Sequence, residues 1–175
     1  MRQFRRNLRL KVSKVVAVLI ALLTTGMAEG DSEKKDLWAF ISQMSALLKT
    51  LSVTSLNDMP LHFNYMKNNA YMNFYHADDF KLLEGTSITT IDLRVSKEND
   101  GMAPLLNFSP SGQCITLQTV KKHYPQLTLT DYPRGRSENE VTSYTAPKDM
   151  NGQKVSFSFT VKKPDCLSSV VISAD

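Results

Sequence analysis

Val155-Ser156-Phe157-Ser158-Phe159-Thr160-Val161 decides the fold. Apolar and hydroxyl side chains alternate along it, and a period of two puts the first set on one face of a strand and the second on the other. Val141–Thr145 before it and Leu167–Ser173 after it read as strands as well, with Leu127–Asp131 a shorter one further upstream. Asn151-Gly152 and Lys163-Pro164-Asp165 supply turn chemistry between them, so neighbours with such short connections pair antiparallel. A sheet with one apolar face needs cover on that face. The nearest cover is a short helix with Thr116 as its cap, Leu117, Val120 and Tyr124 on one side, and Pro125 ending it. Lys121, Lys122 and His123 in its last turn suit the negative end of the helix dipole.

Working further toward the N-terminus, Leu37, Phe40, Ile41, Met44, Leu47, Leu48 and Leu51 recur at steps of three and four, with Asp36 placed as an N-cap. This predicts an amphipathic helix with a core-facing stripe; docking of that stripe on a partner is the alternative. LHFNYM and AYMNFYH flank Lys67-Asn68-Asn69, and their partial alternation suggests a hairpin whose asparagines tolerate positive φ, although residues 56–84 also admit a helical reading. Ile91–Val95 reads as a half-buried strand, Asn99-Asp100-Gly101 as a turn, and Leu105–Phe108 as a second strand, with Ser109-Pro110-Ser111-Gly112 breaking the chain. The expectation is an α+β fold: an antiparallel sheet with helices packed on one face, residues 36–175 forming one domain. The chain's 175 residues suit that size.

Residues 1–28 read as an address and not as fold. Arg2, Arg5, Arg6, Arg9, Lys11 and Lys14 precede the apolar run Val15–Leu23, and Gly26 and Ala28 are small residues suited to cleavage after Ala28. The run is too short for a bilayer-spanning helix of about 20 residues. An uncleaved anchor is the competing reading, and no cysteine follows the run to take a lipid. Residues 29–35 (EGDSEKK) read as a flexible tether. Six of the 21 Lys and Arg precede Ala28 and all 17 acids follow it, so the remainder carries 15 cations against 17 acids, a net of −2. The basic balance of the whole chain therefore belongs to the leader and gives no ground for nucleic-acid binding.

Export leads to the two cysteines, Cys114 and Cys166. An even count in an oxidising compartment favours a disulfide, and covering the sheet with the helix at 116–124 would bring the pair together. A thiolate at Cys114 served by His123 has no spacing to support it. G-x-S-x-G, H-E-x-x-H and phosphate-cradling glycine loops are all missing from the sequence. His76-Ala77-Asp78-Asp79 places an imidazole beside two carboxylates, yet no second cluster completes a metal site, and no cofactor is implied. Asn107-Phe108-Ser109 matches a glycan acceptor but carries an apolar centre and precedes Pro110. The surface feature that stands out is Arg134-Gly135-Arg136-Ser137-Glu138, continuing to Glu140. Two guanidinium groups suit bidentate recognition of a carboxylate or phosphate, and Gly135 permits positive φ. The alternative is a solvated loop whose arginines and glutamates neutralise one another.

The run Cys114-Ile115-Thr116-Leu117-Gln118-Thr119-Val120, then strands ending in Ser156-Phe157-Ser158-Phe159 and Val170-Val171-Ile172, resembles the SmpA/OmlA outer-membrane assembly lipoproteins and the related β-lactamase-inhibitor-protein fold. The resemblance covers residues 113–175; a lipid-bearing cysteine is missing, and roughly 80 residues after Ala28 have no counterpart. It implies an envelope protein that binds another protein and carries no catalytic residues. The expectation is a periplasmic binding module, an inhibitor or immunity protein against an envelope-targeted toxin or enzyme, with no stable membrane span after processing. An envelope assembly or scaffolding factor and a small envelope hydrolase are the alternatives.

Overall fold

The first helix, α1 (Leu37–Leu48), starts where Asp36 accepts a hydrogen bond from the amide of Ala39 at 2.7 Å, satisfying one of the first-turn donors that a helix leaves unpaired. The computed structural model describes residues 36–97 and 102–174, so the leader at 1–28, the tether at 29–35 and the turn at Asn99-Asp100-Gly101 lie outside the described residues. Leu37, Phe40, Ile41, Met44 and Leu48 of the predicted stripe are buried in the core, and Leu47 and Leu51 pack against it. Ser45 is buried too, and its hydroxyl donates to the carboxylate of Asp149, tying α1 to a distant hairpin loop. Burial pushes the Asp149 carboxyl up, but hydrogen bonds from Ser45 and from the amides of Gln153 and Asn151 outweigh it and hold the group below its ordinary value.

Nine strands form one antiparallel sheet among the described residues: β1 (Phe63–Asn68), β2 (Met72–Ala77), β3 (Phe80–Lys81), β4 (Ser87–Ser96), β5 (Leu105–Ser111), β6 (Thr128–Asp131), β7 (Val141–Thr145), β8 (Gln153–Thr160) and β9 (Ser169–Ala174). Their order is β1-β2-β4-β5-β9-β8-β7-β6, with β3 paired to β4. A second helix, α2 (Leu117–His123), lies between β5 and β6 in the chain and is capped by Thr116, whose hydroxyl accepts from the amide of Thr119 at 3.2 Å. Cross-strand pairing places Leu93, Leu106, Ile172 and Val155 in one row and Phe108, Val170 and Phe157 in the next, all buried. Tyr124, just after α2, and Trp38 of α1 both tilt onto Phe157, with ring centroids 4.9 and 6.4 Å away. Phe40 meets Phe108 and Phe80 edge-on at 5.3 Å in each case, the geometry that aromatic quadrupoles favour. The other side chains of β7 and β8 carry hydroxyls that pair across the ladder: Ser143 with Ser158 and Thr145 with Ser156, both at 2.8 Å.

Three local expectations differ from the structure. The hairpin at 56–84 is there as β1 and β2, preceded by a 3-10 helix at Val53–Asp58, but its asparagine works by another means. Asn69 Oδ1 accepts from the amides of Tyr71 and Met72 at 2.9 and 2.8 Å, and Thr90 is the one non-glycine residue of positive φ among the described residues. Pro110 does not break the chain: it sits inside β5 opposite Ile88, beyond Phe108 where the pairing with β9 stops. A stretch with one paired side is where a missing N–H is tolerated. The break comes at Gly112, whose φ of +92° is left-handed and whose Cβ, were there one, would stand 2.5 Å from the Gly85 carbonyl oxygen. The last strand is also shifted, beginning at Ser169 and not at Leu167.

Candidate binding loop

The loop at 132–140 joins β6 to β7 in a hairpin that is pinned at Thr128↔Thr145 and Leu129↔Tyr144 and shifts register before Asp131↔Ser143. β6 is an outer strand of the sheet, and all four of its residues are exposed. At its exit Asp131 Oδ1 accepts from the amide of Tyr132 at 2.9 Å. The loop then closes on Glu140. Oε2 accepts from the amides of Arg134 and Gly135 at 2.6 and 2.9 Å, and Oε1 accepts from the amide of Arg136 at 2.8 Å. Successive amides converge on one anion because Gly135, at φ +75°, turns the backbone into the left-handed region; its α-carbon faces open space, so conformation and not crowding calls for glycine. The Arg136 amide does most to hold the Glu140 carboxyl below its ordinary range; loss of hydration works against it, and the amides of Arg134, Gly135 and Ser137 add to the lowering.

This arrangement decides what the loop's charges do. Glu140 neutralises backbone dipoles and not a guanidinium. Glu138 pairs with Lys162 at 2.7 Å across an exposed surface, a contact of small energetic weight. Ser137 Oγ accepts from the amide of Asn139 at 3.1 Å and stiffens the tip. Arg134 lies over the ring of Tyr132 at 5.9 Å, and neither Arg134 nor Arg136 forms an ion pair among the described residues. Tyr132 and Leu129 beside them are 60% and 51% exposed. The amide of Val161 donates to the Glu140 carbonyl at 3.1 Å and fixes the loop's exit to the end of β8. The alternative reading of the loop, in which its arginines and glutamates neutralise one another, does not describe it: Glu140 takes three backbone amides and Glu138 takes Lys162. The spacing of one acid four residues after Arg136, with a glycine between the arginines, was the available signal.

Cys114 and Cys166, 52 positions apart in sequence, form a disulfide with their Cα atoms 4.9 Å apart. It joins the approach to α2 to the β8–β9 connection, beside a bond from the Leu167 amide to the Ile115 carbonyl at 2.8 Å. Such a bridge fits an oxidising, exported setting. It also removes any thiolate, and His123 stacks on Trp38 with ring centroids 4.0 Å apart. His76 on β2 stands 3.7 Å from Asp92 on β4, its register partner. Among the described residues no three metal-ligating side chains come together, and no helix is long and apolar enough to cross a membrane. Asn107 lies within β5 next to buried Phe108, a poor place for a glycan. Comparison with protein-family models, curated proteins and solved structures finds no match for the chain.

Proposed function

We propose that this chain is an exported binding module acting on another protein in a bacterial periplasm, delivered there by a leader cleaved after Ala28, and that Arg134–Glu140 is its recognition loop. The observation that carries the reading is how the loop spends its acids. Glu140 is taken up by backbone amides and Glu138 by Lys162, leaving Arg134 and Arg136 to accept a partner's carboxylates. A rigid loop with arginines, flanked by exposed Tyr132 and Leu129 on an outer strand, has the composition of an interface anchor. We read α1 and α2 as lying on the same face of the sheet, because Trp38 and Tyr124 meet on Phe157, so that the hydroxyl face and the β6–β7 end stay open to a partner.

Within this class an inhibitor or immunity protein that occludes an envelope-targeted toxin or enzyme is preferred. A small body pinned by a disulfide presents its loop at low entropic cost on binding. The likeness of residues 113–175 to the SmpA/OmlA and β-lactamase-inhibitor-protein fold favours a second reading, an envelope assembly factor. The test is cross-linking in periplasmic extract with the wild type and the double charge reversal Arg134→Glu and Arg136→Glu. A partner lost on reversal and on raising salt, with the melting temperature unchanged, supports the loop as the recognition element. A partner retained by the reversed variant removes it. A detergent-sensitive deletion strain would favour the assembly reading over immunity.

A further inference from the structure

β2 and β4 give one side to the core through Tyr75, Ala77, Ile91, Leu93 and Val95. The strand period puts Phe74, His76, Asp92 and Arg94 on the opposite, outer side. Two neighbouring rows cross that outer face. Lys67 on β1, Phe74 on β2 and Arg94 on β4 stand opposite one another in the first. Asn64, His76, Asp92 and Asn107, on β1, β2, β4 and β5, stand opposite one another in the second, about 7 Å away along the strands.

Lys67 reaches this face because β1 is bulged. Asn64 and Lys67 are three positions apart, and in a regular strand they would point to opposite sides. The register shift between Tyr65 and Lys67 brings both to one side. The Lys67 ammonium and the Arg94 guanidinium then approach the Phe74 ring from the strands that flank it, each 5.7 Å from its centroid. Both residues are exposed, and neither meets a carboxylate among the described residues. Two like charges drawn to one ring repel, and an anion laid over them removes that repulsion.

The second row differs in kind. Amide, imidazole, carboxylate and amide follow one another at a strand spacing of about 4.8 Å, so donors and acceptors alternate closely. Hydroxyl groups, which both donate and accept, match such a row, whereas an acidic peptide would set its carboxylates against Asp92, which already stands beside His76 Nδ1. A uronic acid ring carries its carboxylate on one edge and hydroxyls on the opposite edge, in the same side-by-side order as the two rows. We propose that the outer face of β1, β2, β4 and β5 binds an acidic oligosaccharide, a short chain of uronic acid residues lying across the strands. Its carboxylates meet Lys67 and Arg94, and its hydroxyls meet Asn64, His76, Asp92 and Asn107. β1 and β6 end the sheet on opposite sides, so this surface is separate from the Arg134–Glu140 loop.

The probes are trigalacturonate, maltotriose as its uncharged counterpart and tetraglutamate as an acidic peptide, each titrated into the oxidised protein and followed by NMR. Trigalacturonate should saturate with a dissociation constant on the order of 1 mM, the strength that a pair of charge-assisted contacts supports, and should weaken as salt rises. It should shift the side-chain amides of Asn64 and Asn107 and the ring of Phe74. Maltotriose should bind roughly tenfold more weakly for want of charge. Lys67→Gln and Arg94→Gln, both at exposed positions, should each weaken trigalacturonate with the melting temperature unchanged. Phe74→Leu should weaken it as well, although both charges remain, because the ring that holds them is gone. The double reversal Arg134→Glu and Arg136→Glu should leave the shifts at Asn64 and Asn107 in place, which separates this site from the recognition loop. No saturation by about 20 mM, maltotriose binding as tightly as trigalacturonate, or full affinity after Lys67→Gln and Arg94→Gln are combined would each overturn the proposal. Tetraglutamate binding as tightly, with the same shifts at Asn64 and Asn107, would overturn it in favour of an acidic protein segment.

Discussion

Replacing Cys114 and Cys166 together by serine removes one covalent link and little else. Cys114 is exposed and Cys166 half-buried, so neither new hydroxyl is forced into the core. The bond from the Leu167 amide to the Ile115 carbonyl stays as a local tie. What changes is the unfolded chain, which regains the freedom of a loop closed across 52 positions. Loop-closure entropy for that separation corresponds to about 4 kcal/mol at 25 °C. Against a typical domain stability of about 5–15 kcal/mol this is a large share. With a urea dependence of about 2 kcal/mol per molar, the midpoint should fall by about 2 M, and the slope should steepen because an unlinked chain exposes more surface. Equilibrium unfolding followed by far-UV circular dichroism measures both. The wild type with reductant should coincide with the double variant. A midpoint shift under about 0.5 M, or a reduced wild type that stays as stable as the oxidised one, would refute the entropic reasoning and place the loop's order in the denatured state itself.

Phe157→Ala should lower stability by about 3–5 kcal/mol in urea unfolding, since the ring is fully buried beneath Trp38 and Tyr124; a loss under about 1 kcal/mol would mean that those rings collapse into the space. Thr90 holds φ at +52° within the bulge between Thr89 and Asp92, so Thr90→Gly should stabilise by about 0.5–1 kcal/mol and raise the melting temperature by about 2 °C; a decrease would show that the side chain outweighs the strain. Because the folded Glu140 carboxyl lies below its ordinary range, its contribution to the loop is complete above that range and is lost as pH falls through the folded value. The protection factors of the amides at Arg134, Gly135 and Arg136, which are the intrinsic rate divided by the observed one, should therefore fall on acidification, and Glu140→Gln should show weaker protection at neutral pH; protection independent of pH would remove Glu140 as the organiser.

Much of the fold could be read from side-chain phase. The steps from Leu37 to Leu48 predicted α1, the alternation in Val155–Phe159 predicted β8 and its core face, and Asp36 and Thr116 cap helices where their side chains can reach first-turn amides. The disulfide followed from the count of cysteines and the need to cover a one-faced sheet. What stayed hidden depends on which neighbour a residue meets. Pro110 looks like a breaker until one knows that β9 stops short of it. Glu140 looks like an arginine's partner until Gly135 is seen to aim three amides at it. Gln153 shares the phase of Val155 and Phe157 and is buried with them, a polar residue that the alternation read over Val155–Val161 did not reach.

The place of β9 has a consequence for how the molecule is made. It is the final strand to be synthesised among those described, yet it sits between β5 and β8 as the keystone of the sheet. Until it arrives, β1 to β5 and β6 to β8 are two half-arches with bare inner edges and no shared row of side chains. A growing polypeptide therefore has no stable resting shape to settle into early.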